Sequence, residues 1–333
     1  ITSIASICRY RVVMTGTPIT QGIIDLWGQC LFLSPRVLGY RSWWMFSRTH
    51  IHFEERHDPA TGRMRRTGRV LGTSGEQVLA ERLAPYAYQV TKDECLALPN
   101  KGYQWRWTTL TAEQREAYEG AKAEILELDY DDWSPIAIFR LFTALQTITC
   151  GWWPTIHGQV VELEETRTDL TCRVAAEASG HVVIWGKYRR CVETIAARLN
   201  REHGDGAAHM YYGDQSSAER ERALAAWRQD GGYLVATQAI GGHGLTLAES
   251  STAIFHADGY KYSERLQAED RMHRIGQTRS PLYISIGCSG SIDERIGAAL
   301  CRKANGLDEF RGRMASCRRR RLKDRARALV RAL

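Results

Sequence analysis

The stretch QAEDRMHRIGQ, residues 267–277, sets two arginines three apart and a glutamine four residues ahead of the first. On a helix, positions i, i+4 and i+7 share a face, so Gln267, Arg271 and Arg274 are expected to project together. Ser263, ahead of Glu264, reads as the N-cap and Gly276 as the C-terminal stop. A pair of planar, permanently charged guanidinium groups is suited to anions. The competing reading is a solvated charged face, because Glu269 and Asp270 lie among the arginines. What the rest of the chain places around this segment decides between them.

From residue 181 onward, short apolar runs alternate with helical patterns. HVVIWG (181–186), AHMYYG (208–213), GYLVATQ (232–238), STAIFHA (251–257) and PLYISIG (281–287) read as strands. Between them, helices are expected from Tyr188 to about Glu202 and over 216–229, where Ser216 and Glu219 have capping-box spacing. A last helix opens at Ser291, with Glu294 three residues on, and runs to about Lys303. Strands separated by helices imply parallel pairing, hence an α/β sheet covered on both faces. Ligands of such sheets gather beyond the strands' carboxyl ends, where the arginine segment and the loop after YLVATQ fall.

The N-terminal part differs. RYRVVMTGTP (9–18) reads as one buried strand ending in a tight turn, and residues 20–150 as mainly helical with a loop at 57–75. LTAEQREAYEGAKAEIL (110–126) carries Thr111 and Gln114 in capping spacing before a long helix, and 155–170 reads as a short hairpin or linker. No apolar run approaches the roughly 20 residues of a membrane span. Nine cysteines are scattered with no C-x-x-C pair. That spacing argues against a disulfide framework or a zinc site, and fits reduced thiols in a cytosol-like compartment. The net charge is +7, yet residues 311–333 alone carry ten Lys/Arg and one Asp, so the remainder is slightly acidic. A basic tail of this kind suits phosphate backbones.

Four segments follow one another in order: MTGTPI (14–19), HVVIWGKYRRCVETIAARL (181–199), VATQAIGGHGLTL (235–247) and QAEDRMHRIGQ. Together they resemble the motors of helicase superfamily two, and R-x-H-R-I-G-Q resembles the Swi/Snf ATPases in particular, including their bacterial and phage-type members. LAPYAYQVTKDECLALPNK (83–101), LTAEQREAYE (110–119), LQTITCGWWP (145–154) and YYGDQSSAERERALAAW (211–227) extend the resemblance over about residues 9–306. It implies a RecA-like parallel sheet with helices on both faces as the C-terminal lobe, preceded by a mostly helical remnant of a first lobe. The implied divisions are 1–35 for that remnant, 36–150 for a helical family-specific region, 151–310 for the second lobe and 311–333 for the basic tail.

The resemblance further implies ATP with magnesium as cofactor and translocation along duplex DNA. Arg271 and Arg274 would act as arginine fingers, since phosphoryl transfer spreads charge over the γ-phosphate oxygens. Gln267, Gly242, Gly244 and Thr246 would contact nucleotide, with Gly241 and its neighbours letting backbone amides approach phosphate. Thr15, Gly16 and Thr17 would couple nucleotide state to DNA grip, and Thr237, Gln238 and Lys187, with Tyr188, would meet the DNA backbone. His243 and His273 have no partner cluster in the sequence and are read as non-ligands.

The pattern also departs from the family. The 333 residues contain no G-x-x-x-x-G-K-[ST] loop, and Asp93–Glu94 follow polar Thr91 and Lys92 rather than an apolar strand. The expectation is therefore the C-terminal portion of a translocase, from a truncated or split motor, inactive in hydrolysis until the N-terminal lobe is supplied in cis or in trans. The alternatives are a non-catalytic nucleic-acid-binding module of the same fold and an RNA helicase of the same superfamily. The cellular setting expected is the cytoplasm of a bacterial or phage-infected cell.

Overall fold

Side-chain alternation organises residues 92–300, one of two compact units into which the chain divides. The computed structural model describes residues 2–19, 22–57, 62–90, 92–126, 135–154, 159–242 and 244–305. In HVVIWG (β6, His181–Gly186), Val182 and Ile184 pack to one side of the sheet and Val183 and Trp185 to the other, all fully buried. A strand buried on both faces must be covered on both, which is the condition of a parallel sheet. β6 pairs with β8 (Gly232–Thr237) and β9 (Thr252–Phe255). With β7 (Ala208–Tyr211), β10 (Leu282–Ser289) and β3 (Gly102–Thr109), they form a six-stranded sheet in the order β3-β10-β9-β6-β8-β7. Every pairing is parallel.

Helices α8 (Arg167–Glu177) and α9 (Arg189–His203) cover the Val182/Ile184 face through Cys172, Ile195 and Leu199. On the Val183/Trp185 face, α10 (Ser217–Asp230) and α11 (Tyr262–Glu269) contribute Trp227 and Ala268. A third cluster joins α6 (Ala112–Leu126) and α7 (Pro135–Thr149) to the helix that starts at residue 292, through Tyr118, Leu145, Ile148, Ile292 and Ile296. The Thr111–Gln114 and Ser216–Glu219 capping boxes both form. At Ser291 the pattern shifts: its hydroxyl accepts from the Asp293 amide, and Glu294 accepts from the Gly290 amide. The hairpin expected around 155–170 is β4 (Trp152–Pro154) with β5 (Val160–Glu162), and its turn lies outside the described residues.

Edge strand β3 was not anticipated from the sequence. Trp105 and Trp107 stack with centroids 4.9 Å apart. β10 makes room for them by carrying Gly287, where a Cβ would fall 2.5 Å from the Trp107 ring. The described residues from 92 to 150, which lie in the family-specific region 36–150 expected from the sequence, belong to the same compact unit as the sheet and supply its edge strand.

The other unit holds residues 1–91 and those from 301 on. It contains α1 (Thr2–Ala5), α2 (Ile24–Leu33), α3 (Trp43–His50) and α4 (Glu76–Leu83), while α5 (Lys92–Cys95) opens the larger unit. His50 is fixed at both ring nitrogens, 2.6 Å from the Tyr40 hydroxyl and 2.8 Å from the Ser74 carbonyl. Two expectations are corrected here. Residues 9–18 form no strand: Val12 and Met14 are exposed, and no described strand pairs with them. A strand needs a ladder partner, and apolarity alone does not supply one. Within 57–75, read as a loop, most residues belong to an antiparallel hairpin of β1 (Ile51–His57) and β2 (Met64–Thr73). The basic tail 311–333 lies outside the described residues. No helix among the described residues is long and apolar enough to cross a membrane.

Candidate functional site

Helix α11 stops at Glu269, so the single helical face expected for Gln267, Arg271 and Arg274 does not exist. Residues 270–276 continue instead as successive turns. The cause is competition for the Glu269 carbonyl, which accepts from the Tyr283 hydroxyl at 2.9 Å and from the Met272 and His273 amides at 3.1 Å. The helix starts after Lys261 rather than at Ser263, and Gly276, at φ +101°, closes the turns rather than capping a helix. Gln267 is exposed on α11, while both arginines are half-buried on the turns.

The arginine turn is laced to the segment that follows the glycine loop. Arg274 Nη1 donates to the Leu245 carbonyl at 3.2 Å and the Thr246 hydroxyl at 3.1 Å. The Leu247 amide donates to the Arg271 carbonyl at 2.9 Å, and Gln277 Nε2 to the Ser250 carbonyl at 2.7 Å. Arg271 Nε is buried with no hydrogen-bond partner among the described residues. Burial, then the Arg274 charge, pushes the Arg271 pKa down. A guanidinium held beside another, with a donor unspent, favours any anionic group that arrives between them.

Beneath this turn lies a buried ionic network. Arg265 donates to Asp258 at 2.6 Å, Glu269 at 2.9 Å and Ser285 at 2.8 Å, and its guanidinium stacks 3.4 Å from the Phe255 ring centre. The second Glu269 oxygen accepts from Lys101 at 3.1 Å and Tyr103 at 2.8 Å. Lys92 donates to Asp270 at 2.6 Å and the His273 carbonyl at 2.8 Å. His273 Nε2 lies 2.9 Å from the Pro99 carbonyl, which gives the ring a positioning role. The segment 92–103 therefore straps the arginine turn to the edge of the sheet. Arg265, Lys101 and Tyr103 are not singled out by sequence reasoning, and Glu269 and Asp270 enter it only as solvated charges. For Arg265 and Glu269 their i, i+4 spacing was the available signal.

The other expected residues divide. Gly242 ends a 3-10 turn (Gln238–Gly242) that packs against α11, and Gly244 is exposed at φ +71°, a conformation that favours glycine. His243 lies outside the described residues. Thr237 ends β8 beside Gly186, and Gln238 is buried, its amide donating to Asp258 at 3.0 Å. Lys187 turns inward onto Gln146, and burial lowers its pKa. Thr15, Gly16 and Thr17 belong to the smaller unit, where the Thr17 amide donates to the Thr15 hydroxyl at 3.1 Å. The structure thus brings together Arg271, Arg274 and Thr246, and separately Gln238 with Asp258.

Residues 3–150 match the SNF2-related domain and residues 166–276 the helicase conserved C-terminal domain. Among curated relatives, the chain is 24% identical to the rice SNF2 domain-containing protein ENL1 (Oryza sativa subsp. japonica), over 87% of this chain and 34% of that protein. It is 23% identical to Protein CHROMATIN REMODELING 24 of Arabidopsis thaliana, over 86% of this chain and 30% of that protein. The chain thus spans about a third of the length of these two relatives. The Sulfolobus solfataricus SWI2/SNF2 ATPase core, solved in complex with dsDNA, superposes with a TM-score of 0.51 at 22% identity, covering 92% of this chain and 64% of that one. The arginine turn lies at the strands' amino ends, bonded to Ser250 just before β9 and, through Glu269, to Lys101 and Tyr103 at the start of β3, not beyond the carboxyl ends as expected from the sequence. Two domain matches in family order, over this parallel sheet, make the chain similar to the Swi/Snf-type ATPases.

Proposed function

We propose that this chain is the C-terminal portion of an ATP-dependent translocase on duplex DNA, and that Arg271 and Arg274 are its arginine fingers. The observation that carries the proposal is the guanidinium pair itself: Arg274 is oriented by Leu245 and Thr246, and Arg271 keeps a buried donor unspent. Two cations held against their mutual repulsion suit the charge that develops on a transferring phosphoryl group. When ATP and magnesium are bound, they supply the phosphoryl group and the charge that orients it. This chain's residues fit one side of such a site. Gly242, Gly244, Thr246 and Gln267 are assigned to nucleotide contact, and the phosphate loop and magnesium ligands to another RecA-like lobe, in cis or in trans. The duplex partner is supported by the DNA-bound Sulfolobus relative. Thr15, Gly16 and Thr17 are assigned to coupling between nucleotide and DNA. Thr237 is assigned to the DNA backbone, whereas the inward bonds of Gln238 and Lys187 suit them to support it indirectly. The setting assigned is the cytoplasm of a bacterial or phage-infected cell.

The test is ATP turnover with and without duplex DNA. The 333-residue chain alone is expected to show none, and DNA-stimulated turnover is expected once a lobe carrying the phosphate loop is joined to it. DNA-stimulated hydrolysis by the chain alone would refute the division of labour. Duplex binding with no turnover in the joined protein would favour the non-catalytic module.

A further inference from the structure

We propose that Cys150, Cys191 and His256 form a zinc site inside the larger unit, independent of the nucleotide reading above. Their spacing in sequence gives no sign of it and argues against a zinc site, yet the fold brings the three side chains together. Cys150 follows α7, Cys191 lies in the first turn of α9, and His256 follows β9. One ligand atom from each lies within 4.8 Å of the others, and all three residues are buried.

The hydrogen bonds fix the state of the histidine. The Thr171 hydroxyl has one proton, donated to the Arg167 carbonyl at 2.9 Å. Its oxygen therefore accepts from His256 Nδ1, 2.8 Å away. The ring proton is thus on Nδ1, and Nε2 keeps a lone pair that is buried without a partner among the described residues. A neutral imidazole oriented through its other nitrogen is the usual form of a metal-bound histidine.

Charge selects the ion. Arg167 and Asp293 form a buried ion pair and neutralise each other. Arg167 Nη1 also donates to Cys150 Sγ at 3.4 Å, which favours the thiolate. Two thiolates and a neutral imidazole balance one divalent cation, and sulfur and imidazole donors select zinc over magnesium or calcium. With Zn–S about 2.3 Å and Zn–N about 2.0–2.1 Å, the donors need close by only about an ångström, and a water completes the tetrahedron. Binding releases the thiol protons to solvent, with no change in oxidation state. Such a site would tie α7, α9 and the loop after β9 together, two residues before Asp258 of the arginine network.

The 333-residue chain, purified after expression with zinc, is expected to carry about one zinc per chain by elemental analysis. Cobalt(II) in its place is expected to show thiolate-to-cobalt charge-transfer absorption and intense tetrahedral visible bands. Cys191→Ser and His256→Ala should lose both signals, whereas Cys95→Ser and Cys301→Ser, at exposed thiols, should keep them. If the core variants fail to fold, cobalt titration of the unaltered chain decides alone. Absence of the charge-transfer band, metal retained in a folded Cys191→Ser or His256→Ala variant, or loss of two hydrogens by mass, marking a Cys150–Cys191 disulfide, would each overturn the site.

Discussion

Arg274→Ala is expected to lower ATP turnover of the completed ATPase by about a thousandfold or more, with nucleotide affinity changed only a few-fold. A finger acts on charge that appears in the transition state, so its loss falls on kcat rather than on ground-state binding. Arg274 is only half-buried and bonds outward to Leu245 and Thr246, so its removal should leave the fold intact. Arg274→Lys should recover little, because a single ammonium cannot reproduce two parallel donors of a planar fork. Steady-state kinetics with a separate nucleotide-binding assay distinguishes these outcomes. Equal losses in affinity and turnover would make Arg274 an ordinary binding residue.

The second large effect is on stability. Arg265→Met is expected to cost about 3–5 kcal/mol, because it leaves Asp258 and Glu269 buried without their shared cation. Arg265 and Glu269 are each at most 7% exposed, too little for water to replace the lost partner. Urea unfolding followed by circular dichroism measures it. The same change should release Glu269, which ends α11 and is strapped by Lys101 and Tyr103, so any turnover lost beyond the unfolded fraction reports displacement of the arginine turn.

The contrast between these two arginines and Arg265 shows what the sequence carried. The central strands were legible because β6, β8 and β9 are buried on both faces and read as unbroken apolar runs. The capping boxes at Thr111 and Ser216 were legible because both partners are local. Helix α8 was missed because it buries Arg167, Thr168 and Thr171, so polar residues occupy positions where apolar ones signal a helix. Edge strand β3 alternates visibly, but its partner β10 is some 180 residues away in sequence. The arginine face failed for a related reason. Local spacing favoured one helix, and a hydroxyl from Tyr283 on β10 helped end it at Glu269. Likewise, Cys150, Cys191 and His256 meet only after the sheet has formed.

The claim most open to direct test is where the two guanidinium groups point during hydrolysis. The decisive measurement is a structure of the completed ATPase on duplex DNA with ADP and aluminium fluoride, which mimics the transferring phosphoryl group. The account predicts donors of Arg271 and Arg274 about 2.7–3.1 Å from the fluorides. A fluoride group held only by residues outside 267–277, with both arginines facing solvent, would contradict it.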